Sequence, residues 1–548
     1  MATSAGADSR GSTGSTRWDA IVVGAGHNGL TCAAYLAAAG LRTLALERRA
    51  VVGGASATEE VWPGFKLQTA AYTYSLMRPV IVRELELQRH GLEVIAYDPG
   101  LFLPFPDDRY LCLWSDHRRT AQEIARFSSK DAVAYERVEA LFTRIARFLE
   151  PMLDQPPPDP GSSKPRDLFG LLSLAARARG LDRRDLYQLM RLLQLSAADF
   201  LDEHFESEQV KAALGLFSII GTYGGPRTPG TAYVLLHHVM GTAEEVGANA
   251  WGYVRGGMGM VSEALAAAAR ERGAEIRTDA PVERILVEDG RAVGVALESG
   301  EEIRSRLVLS NADPKRTFLG LLDERDLEPD FLTDIRNFRI EGTSAKVNMV
   351  LSELPDWKAA PGKQPGFQHQ GVMDIAPSLD YLERAWDECK YGWYSSRPYC
   401  DIAIPSVHDR TLCPDGYHSC SVFVQYAPYH LRESSWEAER EKLGDVVVDT
   451  IAEYAPNIRD AIVHRQVLSP WDLEQQFGLT HGNIFHGEIT PDQIFFLRPA
   501  PGWARYRTPI DGLFLCGAGT HPGGGVMGAC GRNAAREALR GWRRRRRS

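Results

Sequence analysis

Residues 18–47, WDAIVVGAGHNGLTCAAYLAAAGLRTLALE, constrain the fold more tightly than any other stretch. Ile21-Val22-Val23 reads as a short buried parallel strand. Gly24-Ala25-Gly26-His27-Asn28-Gly29 follows at once. Leu30, Ala33, Ala34, Ala37 and Ala38 then recur at helical spacing, and Gly40 can end that helix. Residues 41–46 read as the next strand, and Glu47 lies about 20 residues past the glycines. Strand, G-x-G-x-x-G turn, helix, strand and acid, in that order, describe a nucleotide-binding βαβ unit.

Each residue type has a physical reason. Gly24 permits the tight turn, Gly26 lets backbone approach a pyrophosphate, and Gly29 lets helix and strand pack closely. The helix N-terminus offers unpaired N–H groups and partial positive charge to phosphates. Glu47 accepts hydrogen bonds from ribose hydroxyls and repels a 2′-phosphate, so the unit suits the ADP moiety of FAD or NAD rather than NADP. Just beyond Arg48, the run Gly53-Gly54-Ala55-Ser56 allows a second close backbone approach.

With 548 residues the chain can bury a sizeable core, and 44% hydrophobic with 24% charged residues is a globular balance. A formal net charge of −9 argues against nucleic acid as a partner. The eight cysteines form no C-x-x-C pair and no zinc-like spacing, so a reduced, cytoplasmic compartment is the simplest reading and no metal site is expected. No apolar run approaches the roughly 18 residues of a membrane span. Residues 1–17 read as a disordered tail, too glycine-rich for a good mitochondrial presequence.

Further along, residues 61–114 look β-rich, 118–150 helical, 155–165 a Pro-rich linker, and 167–220 helical again. Asp289-Gly290 reads as a hairpin turn between short strands. Residues 307–314 read as a buried strand ending at a polar turn around Asn311, and 344–351 and 420–426 suit an antiparallel sheet. Gly523-x-Gly525-x-x-Gly528 repeats the nucleotide pattern. Only twenty residues follow it, too few for a second βαβ unit of roughly 30. We therefore expect residues 513–516 to complete the first sheet, with the turn after them facing another part of one extended cofactor, which favours FAD.

The segments VVGAGHNGL, TPGTAYVLLHHVMG, WGYVRGGMG, SAKVNMVL, GNIFHGE and CGAGTHPGGGVMGACGRNAA, in this order across residues 18–540, resemble flavoproteins of the phytoene desaturase and amine oxidase group. The resemblance implies an α/β fold. A discontinuous Rossmann-type FAD domain would comprise 18–75, 250–335 and 495–540. An α+β substrate domain, with an antiparallel sheet and a helical insertion, would comprise 76–249 and 336–494. It also implies Glu47 on the adenine ribose, with Gly53, Gly54, Ala55 and Ser56 near pyrophosphate and flavin. Val282 would meet the adenine, and Thr520, Gly525, Val526 and Met527 would lie along the ribityl and ring. Asn28, Arg48, Asn311 and Gly519 complete the expected cofactor set. Ala55 and His521 stand where amine oxidases carry Arg and an acid, which argues against an amine substrate.

Two residues are expected to carry chemistry. Lys346 lies on an apolar strand, where lysine is costly to bury, and resembles the amine-oxidase lysine that holds a water at flavin N5. An edge-strand lysine reaching solvent is the alternative. His521 borders the proposed flavin contact and suits charge stabilisation or proton transfer. His486 and the pair His237–His238 are further candidates, with packing favoured for the pair. The expected function is an FAD-dependent oxidoreductase acting on a largely apolar small molecule, with oxygen, a quinone or another electron acceptor. The alternatives are a regulatory flavoprotein and a redox-neutral isomerase. The arginines of 543–547, in the basic tail 541–548, raise peripheral contact with anionic lipid as a secondary expectation.

Overall fold

The strand Trp18–Val23 is buried from Ala20 onward, because it takes a parallel partner on each side. In this computed structural model, residues 18–240 and 251–545 are described; the expected tail 1–17, and Arg546 and Arg547, lie outside them. Five parallel strands run in the order Glu275–Arg277, Thr43–Leu46, Trp18–Val23, Glu302–Ser310, Leu513–Leu515. Side chains alternate across this sheet. Ala20 and Val22 pack under the helices His27–Ala38, Gly259–Glu271 and Ala529–Arg545, while Ile21 and Val23 pack on the opposite side with Ile285, Val295 and Phe331.

Glu302–Ser310 has two roles. Its first residues pair antiparallel with Arg291–Leu297, and its last three pair parallel with Leu513–Leu515. The hairpin before it turns at Asp289 and Gly290, with φ of 48° and 72°, the left-handed pair that a two-residue turn requires.

A second sheet of seven strands runs Ile462–Leu468, Ser344–Leu351, His418–Gln425, Tyr399–Ala403, Val372–Ile375, Leu101–Pro104, Tyr110–Leu113. It is not wholly antiparallel as expected, since Val372–Ile375 runs parallel to Leu101–Pro104. Ser344–Leu351 is paired on both sides, so Lys346 sits on an interior strand and the edge-strand alternative fails. One face of the sheet packs on the helix Trp436–Ala452 and the other faces a helical layer reaching from His117 to Val239. The helix expected over 118–150 is two helices, His117–Ala125 and Ser129–Leu153. The Ser128 hydroxyl caps the second by accepting from the Asp131 amide at 3.1 Å. All eight cysteines are buried and unpaired. Among the described residues no helix is long and apolar enough to cross a membrane.

The C-terminal glycines build no second nucleotide fold. Leu513–Leu515 joins the first sheet, and Ala529–Arg545 packs on the first helix so closely that a Cβ on Gly531 would stand 2.0 Å from the Asn28 carbonyl oxygen. Crowding of the same kind gives a test at Gly29. A Cβ there would lie 2.0 Å from the Gly24 carbonyl oxygen. Helix propensity alone predicts that Gly29→Ala stabilises by about 1 kcal/mol, whereas overpacking predicts destabilisation of about 3 kcal/mol. We expect the second sign in urea unfolding; a stabilised variant would remove this packing argument.

Candidate active site

At the carboxyl ends of the parallel strands lies a polar cleft of about 210 Å³. Gly24, Gly26, Asn28, Glu47, Arg48, Gly53, Gly54, Ala55, Val282 and Asn311 all line it. Gly24 takes φ of 92°, which turns the chain from strand to helix. The Glu47 carboxylate accepts from the Ala25 amide at 2.9 Å and the Arg49 amide at 3.1 Å, so it also braces the glycine loop. Asn311 follows the neighbouring strand, and its backbone amide donates to the Val23 carbonyl at 2.8 Å. Its side chain fills the space beneath the loop. A Cβ on Gly26 would stand 2.9 Å from Asn311 Nδ2, so this glycine leaves room for a side chain distant in sequence as well as for a ligand.

The cleft opens into an apolar cavity of about 170 Å³, the two sharing His27, Ala55, Leu479, His486 and Ala518. Tyr72, Phe423, Phe485, Gly525, Val526, Ser56 and Lys346 are among its walls. Burial, and then the nearby His486, push His27 down to about 4, and burial also lowers His486. Both imidazoles are therefore neutral at pH 7. His27 Nε2 and His486 Nδ1 are buried without a protein partner at this junction. A polar cleft for an ADP moiety, leading to an apolar space edged by a few unpaired polar atoms, fits an extended FAD.

The profile of the family described as flavin containing amine oxidoreductase matches residues 29–539. The chain belongs to this family. It is an FAD-dependent oxidoreductase. A mouse protein, pyridine nucleotide-disulfide oxidoreductase domain-containing protein 2, is 43% identical over 545 residues, covering 95% of this chain and 93% of its own. A limonene dehydrogenase component from Castellaniella defragrans is 26% identical over 539 residues, covering 94% of each chain. Phytoene desaturase (neurosporene-forming) of Cereibacter sphaeroides is 26% identical over 534 residues, covering 93% of this chain and 92% of its own. An engineered putrescine oxidase shares the fold, with a TM-score of 0.59 at 16% identity over 96% of this chain and 99% of that one.

In this flavoprotein Lys346 is wholly buried. Its Nζ donates to Ser421 Oγ at 2.7 Å and lies 3.9 Å from the centre of the Tyr72 ring. Desolvation, partly opposed by Asp401, brings the ammonium down to about 7. Behind it, the Tyr72 hydroxyl donates to Asp401 at 2.6 Å, and Asp401 stands directly across from Asp374 on the next strand. Burial raises both acids, Asp401 to about 6, and the facing charge of Asp401 adds to the rise at Asp374.

The remaining expected residues lie one layer back. Gly29 sits beneath the loop and Gly519 packs on Pro314. The Thr520 hydroxyl donates to the Gly517 carbonyl at 2.8 Å, and the Met527 carbonyl accepts from the Arg78 amide at 3.1 Å. His521 lines neither the cleft nor the cavity. Its Nε2 lies 2.9 Å from the Met152 carbonyl oxygen at the end of the long helix Ser129–Leu153, and burial lowers its pKa to about 4. The histidines at the cleft–cavity junction are His27, a mere spacer in the G-x-G-x-x-G pattern, and His486. His238, where packing is the favoured expectation, also lines the cavity.

Sequence reading also misses Arg498. This fully buried guanidinium donates to the carbonyls of Phe485, Gly487, Glu488, Gln493 and Ala518 at 2.9–3.4 Å, and among the described residues no carboxylate accepts from it. Arg498→Met would leave five buried acceptors without it, each unpaired group costing about 1–3 kcal/mol before relaxation. We expect a clear fall in melting temperature together with loss of bound FAD, and partial recovery of both in Arg498→Lys. A methionine variant that keeps its full flavin content would contradict this role.

Proposed function

We propose that this oxidoreductase dehydrogenates a largely apolar small molecule by hydride transfer to FAD, the electrons leaving to oxygen, a quinone or another acceptor. The observation that carries the reading is the charge state of the cavity. Among the described residues its ionisable lining groups are His27, Tyr72, His238, Lys346 and His486, with no carboxylate among them. Burial pushes each toward its uncharged form. A cationic amine would leave water and find no counter-ion among these groups, whereas a hydrocarbon loses nothing on entry. Relatives named for limonene and phytoene, both hydrocarbons, agree with such a lining.

FAD, when bound, supplies the hydride-accepting chemistry at N5. The protein's contribution is to bind, orient and exclude water. Tyr72, Phe423, Ile220 and Phe485 offer apolar surface to a substrate. His238 and Trp251 are shared with a further apolar chamber of about 120 Å³, bounded by Phe142, Phe217 and Leu101, so a long molecule can extend past them. Lys346, balanced near neutral pH, holds or releases a proton at Nζ beside Tyr72.

The direct test is anaerobic mixing of the FAD-loaded protein with monocyclic terpenes, linear polyenes and primary amines, following the flavin's visible absorbance. Bleaching by apolar compounds and not by amines is expected; bleaching by amines alone, or by no apolar compound, would overturn the reading. Lys346 gives a second test. Its lowered pKa means that the unfolded chain binds the extra proton between about pH 7 and pH 10, so stability rises with pH across that window by a few kcal/mol. Lys346→Met should flatten this rise in urea unfolding and, because the nearby cation is lost, should also push Asp401 further up.

A further inference from the structure

Glu341, His430 and His481 lie far apart in sequence and far from any recognisable ligand spacing. Yet one donor atom from each falls within 4.8 Å of the others. His481 Nδ1 and Glu341 Oε1 are 2.8 Å apart, and the rings of His430 and His481 stand 5.4 Å apart at 74°. From this convergence we propose that the three residues bind one divalent transition-metal ion of the zinc class, at a site distinct from the flavin cavity.

The donor set selects the ion. Two imidazoles and one carboxylate suit Zn²⁺, Co²⁺ or Ni²⁺, whereas Mg²⁺ and Ca²⁺ require oxygen donors alone. Bonds of about 2.0–2.2 Å would draw the donors to roughly 3.4 Å from one another. That is a small rotation for a half-exposed glutamate and an exposed histidine. The His481–Glu341 hydrogen bond gives way to the cation, and water completes the shell.

The surroundings are already arranged for this. A Cβ on Gly342 would lie 2.3 Å from the His481 carbonyl oxygen, so the backbones bearing Glu341 and His481 are in direct contact. Asn483 Nδ2 donates to the Glu341 carbonyl at 2.7 Å. The Tyr429 ring stacks on His481 at 4.7 Å, holding the imidazole plane, and its neighbour His430 completes the set. His481 also takes φ of 51°, a conformation that costs a non-glycine residue on the order of 1 kcal/mol. Lys315 adds positive charge nearby, but its Nζ is engaged by the Arg336 carbonyl at 2.9 Å. Leu479, two residues before His481, lines both cleft and cavity, while Ile484, Phe485 and His486 line the cavity. A bound ion would therefore clip the lead-in to Lys346, the loop after His418–Gln425 and the wall of the flavin site.

The test uses the full chain with FAD bound, dialysed against chelator and titrated with ZnCl₂ by calorimetry at neutral pH. One equivalent should bind with Kd at or below about 10 µM, and binding should weaken at least tenfold in H430A and in H481G. The glycine variant removes a ligand while suiting the left-handed backbone, and H430A, at an exposed residue, removes a second ligand independently. Zinc should also raise the melting temperature of the unmodified protein and not that of H481G, whatever substrate the flavin serves. Weaker binding to the unmodified protein, a stoichiometry other than one, or equal binding by H481G each overturns the proposal.

Discussion

A positive charge held chiefly by carbonyl dipoles keeps the back of the apolar cavity together. Arg498 is sealed from water, and burial pulls its pKa down to about 10. A guanidinium has five N–H donors in a rigid fork, and here carbonyl groups from residues 485–493 and Ala518 surround that fork. With no water to replace them, losing any of these carbonyls would leave an N–H of the buried cation unpaired, so the loops are held in one arrangement. This explains how His486 at φ 55° and Gly487 at φ 135° persist beside an open cavity. The arginine enforces the loop shape, and the loop shape aims His486.

Polarity changes abruptly along the site. The cleft holds Glu47, Arg48 and the start of a helix, where a charged diphosphate is welcome. Across Ala55 and His27, every ionisable side chain lining the cavity among the described residues is pressed toward neutrality. One continuous space thus offers water-like solvation at one end and oil-like solvation at the other. Two buried acids, Asp374 and Asp401, sit behind the cavity wall, and Asp401 reaches it through the Tyr72 hydroxyl and the charge of Lys346.

The N-terminal half of this arrangement is legible in the sequence because it is local. Strand, glycine turn, helix and Glu47 follow one another within thirty residues, and their spacing carries the geometry. The interior position of Lys346 is half legible: its apolar neighbours predict burial, but only the pairing with His418–Gln425 and Ile462–Leu468 rules out a solvent-reaching edge. Arg498 and Tyr72 are invisible there, since a lone arginine among Phe, Leu and Pro carries no period and Tyr72 gains its meaning from Asp401, 329 residues on. His521 misleads for the opposite reason. Its neighbours in sequence do approach the cavity, but the turn they form places its ring on the Met152 carbonyl behind them.

The strand Glu302–Ser310 has a consequence for how the chain is made. Its last three residues wait for Leu513–Leu515, about 200 positions later. At roughly 5–20 residues per second, a ribosome leaves that edge of the sheet unpaired for roughly 10–40 s. During this interval a nascent chain offers a bare, apolar β-edge, the kind of surface that recruits other strands. Gly525, Val526 and Ala518, which line the cavity, also arrive only then, so the cavity is completed at the end of synthesis. The chain's most vulnerable moment falls before that cavity has all of its walls.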